Sequence, residues 1–361
     1  MQSYSAEERA FLWLDAFSLP LAEKNALLKI AGSAVNLVKN CAEILEKTVK
    51  HNDSGVYKDM VDSLKDDRFY KNATAATQEH GVTAYPRVSE GFFEAWKDLP
   101  QPPLVQYEKG NAALKNRDKF VIVGSRRTNS DTMKRTRTIA ADLSDCFTVV
   151  TGNADGADEA ALSGAEQNGG GISVLAGGLC ALENARCDFS KNLYVSEHPY
   201  FTPVRTFSYE RRNLLLAALG KGALIVSAGE KSGALITARY VRQGKKPLFA
   251  FPYSPEAAAG RGCNRLIKDG AYLTECADDV FEKLSVSRGD KIRANGAEKT
   301  KTVLSGDEKT VYEALKDTGK ANVNALCRVT GLPVWKLSGV IAALEVKGVL
   351  TRTGGNFVCL V

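Results

Sequence analysis

Histidine is almost missing from this chain. Only His51, His80 and His198 occur in 361 residues, and none of the eight cysteines forms a Cys-x-x-Cys pair. Zinc sites are built from His and Cys clustered at short spacings, so no metal site is expected. Isolated thiols suit a reducing compartment, where cysteine serves as a small core residue. No apolar run is long enough to span a bilayer. The start, Met1-Gln-Ser-Tyr-Ser-Ala-Glu-Glu-Arg9, lacks the basic-then-apolar pattern of a secretion signal. A cytoplasmic protein with no membrane partner is therefore expected. Two nucleotide-binding patterns are also lacking. No Gly-x-Gly-x-x-Gly follows the first strand, which disfavours a dinucleotide. No Gly-x-x-x-x-Gly-Lys-Ser/Thr loop is present to hold a triphosphate and Mg²⁺. No Ser/His/Asp or Cys/His arrangement is visible, and His198, next to Pro199, reads as structural. Neither a cofactor nor a catalytic residue is expected.

What remains is ordinary globular material, 44% hydrophobic and 25% charged, with a formal net charge of +6. It is long enough for two or three domains. A charge so mildly positive does not by itself identify a nucleic-acid binder.

The most informative stretch is Lys119-Phe-Val-Ile-Val-Gly-Ser-Arg-Arg127, an apolar strand that breaks at a glycine into two arginines. A buried parallel strand reads as a short continuous apolar run. Arginines at its end can grip phosphate oxygens in forked, charge-assisted hydrogen bonds. The same grammar recurs in Phe147–Gly152, Ile172–Gly178, Ala223–Gly229 and Pro247–Pro252, each apolar and each running into a polar or glycine-rich turn. Such strands describe an open, largely parallel α/β sheet with a ligand crevice along the strand ends.

Four segments are placed to line that crevice. Gly124, Ser125, Arg126 and Arg127 form the first turn. In Gly152-Asn-Ala-Asp-Gly-Ala-Asp158, two uses are open: Asp155 or Asp158 can serve only to cap the following helix, or Gly152, Gly156 and the free amides of that helix can meet phosphate, which the two carboxylates would repel. In Tyr209-Glu-Arg-Arg-Asn213, the tyrosine can stack on a base while Arg211, Arg212 and Asn213 hold the adjoining backbone. Lys231, Ser232 and Gly233 offer anion contact without the Walker spacing that hydrolysis requires. Asn264, in Gly260-Arg-Gly-Cys-Asn264, adds an amide after the last strand.

Along the chain, residues 1–80 read as helical, opening on the capping-box pattern Ser5-Ala-Glu-Glu8 and broken at Leu19-Pro20. Lys47 to Lys71 reads as a long loop or solvated helix. An irregular connector over 81–118 leads into an α/β body that ends at 284. The polar, aromatic-free stretch 285–302 reads as a flexible linker. Residues 303–361 open on a second capping-box pattern, Ser305-Gly-Asp-Glu308. Three helices follow, and then two short strands around Gly354-Gly355, the pattern of a winged helix-turn-helix.

Taken in order, these segments resemble the DprA/Smf family, the DNA-processing proteins of natural transformation. The resemblance covers about Tyr85 to Leu284. It rests on Gly110-Asn111, Val123-Gly-Ser-Arg126, Thr151-Gly152 with Gly156 and Asp158, Val174-Leu175 with Gly178-Leu179, and Ser196-Glu197 with Pro199. Arg212-Asn213, Lys231-Ser-Gly-Ala-Leu-Ile-Thr-Ala238, Phe249-Ala-Phe-Pro252 and Gly262-Cys-Asn264 complete it. It implies a Rossmann-like parallel-sheet body, an N-terminal SAM-like helical domain and a C-terminal winged-helix domain. It further implies single-stranded DNA binding, homodimerisation and loading of the RecA recombinase, without a catalytic reaction. The sequence departs from the family pattern at Asp155, Tyr209, Glu210 and Cys187–Asn192, changes that take positive charge from the crevice mouth. A rival reading is a nucleotide-binding or nucleotide-hydrolysing enzyme on a similar body, using Asp155, Asp158 or Glu197. A third makes the winged helix a duplex-DNA reader, which the lone base Lys336 on its third helix does not favour.

Overall fold

The computed structural model describes residues 3–48, 55–65, 79–183, 185–286, 305–316, 320–346, 350–353 and 357–360. The chain divides into two compact units, Met1–Ile292 and Arg293–Val361.

The first unit opens with helices α1 (Ala6–Asp15), α2 (Leu21–Ala31), α3 (Ala34–Lys39), α4 (Cys41–Thr48) and α5 (Gly55–Ser63). The expected capping box starts α1. Ser5 Oγ accepts from the Glu8 amide at 3.3 Å, and Glu8 Oε2 accepts from the Ser5 amide at 2.8 Å. Pro20 is the N-cap of α2, where its missing N–H costs nothing. Within Lys47–Lys71, α5 buries Met60 fully, while 49–54 and the stretch beyond 65 lie outside the described residues.

Nine strands then join one sheet. They are β1 (Thr83–Pro86), β2 (Val105–Gly110), β3 (Lys119–Val123), β4 (Thr148–Thr151), β5 (Ile172–Val174), β6 (Leu193–Ser196), β7 (Ala223–Ile225), β8 (Leu248–Ala250) and β9 (Tyr272–Leu273). Their order is β1-β2-β6-β5-β4-β3-β7-β8-β9. Strands β3 to β9 run parallel, whereas β2 is antiparallel to both β1 and β6. The stretch 81–118 is therefore not an irregular connector, because it supplies the edge strand β1 and the antiparallel strand β2 beside it. Tyr85-Pro86 looks like a breaker but sits on the outermost strand, where proline is tolerated.

The parallel strands read as continuous apolar runs because both faces are covered. Successive residues alternate sides. Val121 and Val123 pack under α8 (Thr206–Leu219) and α9 (Ala234–Gln243), together with Leu215, Leu216 and Val241. Phe120 and Ile122 face the other layer, α6 (Ser130–Leu143), α7 (Ala157–Ala165) and α11 (Ala277–Leu284), together with Ile139, Leu143, Ala161 and Phe281. Helix α10 (Arg261–Lys268) lies between β8 and β9 in the chain.

The second unit contains α12 (Gly306–Lys316), β10 (Lys320–Asn322), α13 (Val323–Thr330), α14 (Val334–Val346), β11 (Leu350–Thr353) and β12 (Phe357–Leu360). Three strands rather than two form its sheet, since β10 also pairs with β12. Val311, Leu315, Leu326, Leu337, Ile341 and Leu344 make its core. Lys336 is paired with Asp307 at 2.8 Å. The Gly354-Gly355 hairpin and most of the linker stretch, 287–302, lie outside the described residues.

Candidate functional site

Strand order reverses at β3, which has β4 on one side and β7 on the other. Loops leaving neighbouring strands part at such a point and open a crevice beyond their carboxyl ends. An open cavity of about 630 Å³ lies there. The turn after β3 contributes Gly124, Ser125, Arg126 and Arg127. Helix α8 contributes Thr206, Tyr209, Arg212 and Asn213. The turn ahead of α9 contributes Lys231, Ser232 and Gly233, the loop after β4 contributes Ala154, and the first turn of α7 contributes Asp158.

The structure thus brings most of the expected residues to one place, with four exceptions. Gly152 and Gly156 back the crevice without lining it. Gly156 has φ +76°, and a Cβ there would run into the Arg126 carbonyl, so only glycine lets the two turns touch. A Cβ on Gly152 would collide with the Arg212 guanidinium. Arg211 is turned away and engaged elsewhere. Its Nε donates to Glu197 Oε1 at 2.9 Å, and its Nη2 donates to Glu197 Oε2 at 2.8 Å and to the Gln101 carbonyl at 2.7 Å. Asn264 also lies outside this cavity. It exchanges two hydrogen bonds with the Tyr253 backbone, at 3.0 and 2.8 Å, and lines a neighbouring groove of about 1060 Å³. The two cavities adjoin at the turn holding Gly229 and Glu230, but only the smaller one lies at the strand reversal.

Several of the amides at the strand ends are engaged within the protein. Gly124 N donates to Asp158 Oδ1 at 3.3 Å and Gly152 N donates to Asp158 Oδ2 at 3.0 Å. Ala154 adds a backbone hydrogen bond to the same carboxyl group. These amides already hold an anion supplied by the protein. Ser125 N is satisfied in turn by Ser227 Oγ at 2.9 Å. The first motif therefore offers phosphate its arginines, and the amides of Gly124 and Ser125 are engaged within the protein.

Arg126 and Arg127 are exposed. The Arg126 guanidinium lies over the Tyr209 ring, 4.8 Å from its centroid, and that of Arg212 is 6.0 Å from it. Arg212 is buried, donates through Nη1 to the Gly152 carbonyl, and stands 4.0 Å from Asp158. Its Nε is buried without a hydrogen-bond partner among the described residues. Burial pulls the Arg212 guanidinium below its usual range, and Asp158 opposes that. Burial also pushes the Asp158 carboxyl above the ordinary aspartate range, against Arg212 and the three amides. Glu210 turns from the crevice to Arg239 and Tyr240, at 2.6 and 3.0 Å.

Sequence reading missed Ser227 and the amides of Gly124 and Gly152 that Asp158 holds. Ser227 carried one usable signal, a small polar residue at the end of an apolar strand beside the reversal. Of the carboxylates an enzyme would need, Asp158 is tied to amides and Glu197 to Arg211. Among the described residues, no three His, Cys, Asp or Glu side chains are grouped to hold a metal, and no helix is long and apolar enough to cross a membrane.

The family model described as DNA recombination-mediator protein A matches residues 82–285. A putative DNA processing protein DprA of Mycobacterium tuberculosis is 32% identical over 269 residues, 71% of this chain and 68% of that protein. The DNA processing protein DprA of Streptococcus pneumoniae is 33% identical over 192 residues, 51% of this chain and 68% of that protein. Among solved structures, the S. pneumoniae protein aligns with a TM-score of 0.66 at 22% identity, over 78% of this chain and 99% of that one. The Helicobacter pylori DNA processing protein A, solved for its single-stranded DNA binding mode, aligns with a TM-score of 0.51 at 24% identity, over 56% of this chain and 95% of that one. At those identities the two structures establish a shared fold.

Proposed function

The chain belongs to the DNA recombination-mediator protein A family, the DprA/Smf proteins, and on that premise we propose that its crevice binds single-stranded DNA. The observation that carries this reading is the composition of the crevice wall. Arg126, Arg127, Lys231 and Arg212 line it together with one tyrosine at the strand reversal, and the buried carboxylate of Asp158 there is already held by amides and an arginine. Cations that follow a backbone, together with an aromatic that accepts any base, suit a single strand read without sequence preference. The H. pylori relative's single-stranded DNA binding supports the same assignment.

The wider reading is that this protein guards incoming strands in the cytoplasm, loads a RecA-type recombinase on them, and catalyses no reaction. It acts as a homodimer through the α/β body. Residues 1–80 form a SAM-like helical domain, 81–284 the Rossmann-like DNA-binding body, 285–302 a linker and 303–361 a winged helix. The family premise supports these assignments, and the three helices and small sheet of the second unit accord with the last.

Fluorescence anisotropy with oligo-dT, the matching duplex and free nucleotides at two salt concentrations tests the core of the proposal. Oligo-dT should bind and weaken steeply with salt, and duplex should bind at least about tenfold less tightly. Equal affinity for duplex, or steady turnover of ATP or a nucleoside monophosphate, would move the assignment to a duplex reader or an enzyme.

A further inference from the structure

A carboxylate on the floor of a crevice meant for DNA is a physical oddity that needs a reason. Asp158 is 3% exposed, and both its oxygens accept from backbone amides of different turns, Gly124 after β3 and Gly152 after β4. It also stands 4.0 Å from the buried guanidinium of Arg212, whose Nη1 donates to the Gly152 carbonyl. That leaves Arg212 Nε, at the crevice wall and buried, without a partner among the described residues. A buried donor of this kind is costly unless something outside the chain satisfies it.

We propose that Asp158 is a positioning residue, a built-in anion that locks the two strand-end turns together and holds the Arg212 guanidinium in the crevice wall, where it meets a DNA phosphate. This rests on the single-stranded DNA reading above. Without the carboxylate, Gly124 and Gly152 lose their common acceptor and Arg212 loses its counter-charge. The carboxylate therefore strengthens DNA binding, although its charge taken alone repels DNA.

That reversal of sign is the test. Asp158→Asn is nearly isosteric and removes one negative charge. Were charge all that mattered, oligo-dT would bind the variant more tightly. Positioning predicts binding about tenfold weaker, the loss expected for one charge-assisted hydrogen bond. It also predicts a log affinity–log salt slope flatter by ~0.7, as for one lost phosphate contact on a single strand. A merely structural defect would lower the active fraction without changing that slope. Arg212→Lys should show the same loss, and the double variant should lose little beyond either single one. Should Asp158→Asn fail to fold, Asp158→Glu keeps the charge, moves it by one methylene, and should still weaken binding.

Amide hydrogen exchange at Gly124 and Gly152, measured without DNA, separates this proposal from the functional one. Slow exchange at both amides in the parent and fast exchange at one or both in Asp158→Asn, which keeps a single accepting oxygen, would uphold the latch, even if the parent bound no oligo-dT and the DNA reading fell. Unchanged or tighter oligo-dT binding by a folded Asp158→Asn variant, with both amides still protected, would overturn it.

Discussion

Arg126 and Tyr209 act on each other before either meets a ligand. With the guanidinium 4.8 Å from the ring centroid, one ring face is already covered. Such a pair contributes ~0.5–1 kcal/mol at an exposed site. A base that stacks on Tyr209 must use the other face or slide between ring and arginine, so the two contacts are coupled. Arg126→Ala should weaken oligo-dT binding by ~1–3 kcal/mol, as expected for a hydrogen bond to a charged group. It should also flatten the salt slope by ~0.7. Tyr209→Ala should lose ~1–3 kcal/mol of stacking. Because the ring also places Arg126, it should flatten the slope in part. The double variant should then cost less than the sum of the two, by at least ~0.5 kcal/mol. Anisotropy on the four proteins across a salt series measures all of these. Strict additivity would mean that ring and guanidinium meet DNA separately.

Between elements, a buried polar network joins the helical front to the antiparallel edge of the sheet. Asp15 ends α1, and its Oδ2 accepts from Tyr107 Oη of β2 at 2.8 Å. Lys24 of α2 donates to Asp15 Oδ1 at 3.3 Å and to its carbonyl at 2.8 Å. Burial, and then Asp15, drive the Tyr107 phenol well above its ordinary range. Removing one member of a buried pair strands the other, so Asp15→Ala should cost ~3–5 kcal/mol in urea unfolding. A cost below ~1 kcal/mol would mean that the front docks by apolar contact alone. The same edge explains what the sequence concealed. Strands β3, β4, β5, β7 and β8 were legible because both faces are apolar and each runs into a polar or glycine-rich turn. In β2, Gln106 and Glu108 interrupt the pattern yet are buried. Lys115, at 2.8 Å from both Glu108 oxygens, and the Phe93 amide, which donates to Gln106, satisfy them from outside the strand. Propensity cannot register partners supplied by the fold. The crevice divides in the same way. Its arginines, tyrosine and lysine announce themselves by residue type at strand ends, whereas Asp158 depends on Gly124, thirty-four positions away.

At the scale of the whole molecule, the cysteines report on how completely the layers close over the sheet. Cys263 of α10 is fully buried and directs its thiol to the Ile225 carbonyl at the end of β7, 3.5 Å away, beside the strand reversal. Burial pushes its thiol up to about 12, and that of Cys41 in the helical front to about 11. Cys276, just before α11, is exposed. Only the thiolate reacts with iodoacetamide, so at pH 9 a thiol raised to about 11 is roughly one per cent reactive even before access is considered. Peptide mass mapping at that pH should find Cys276 alkylated before Cys41 and Cys263. Cys41 and Cys263 should react only as fast as the unit opens, and together once urea unfolds it, since they sit in two regions of one compact body. Labelling of Cys41 well before Cys263 would show the helical front opening as a separate cooperative piece. Labelling of Cys263 as fast as Cys276 would mean that α10 does not cover β7, leaving the floor of the crevice unsupported on that side.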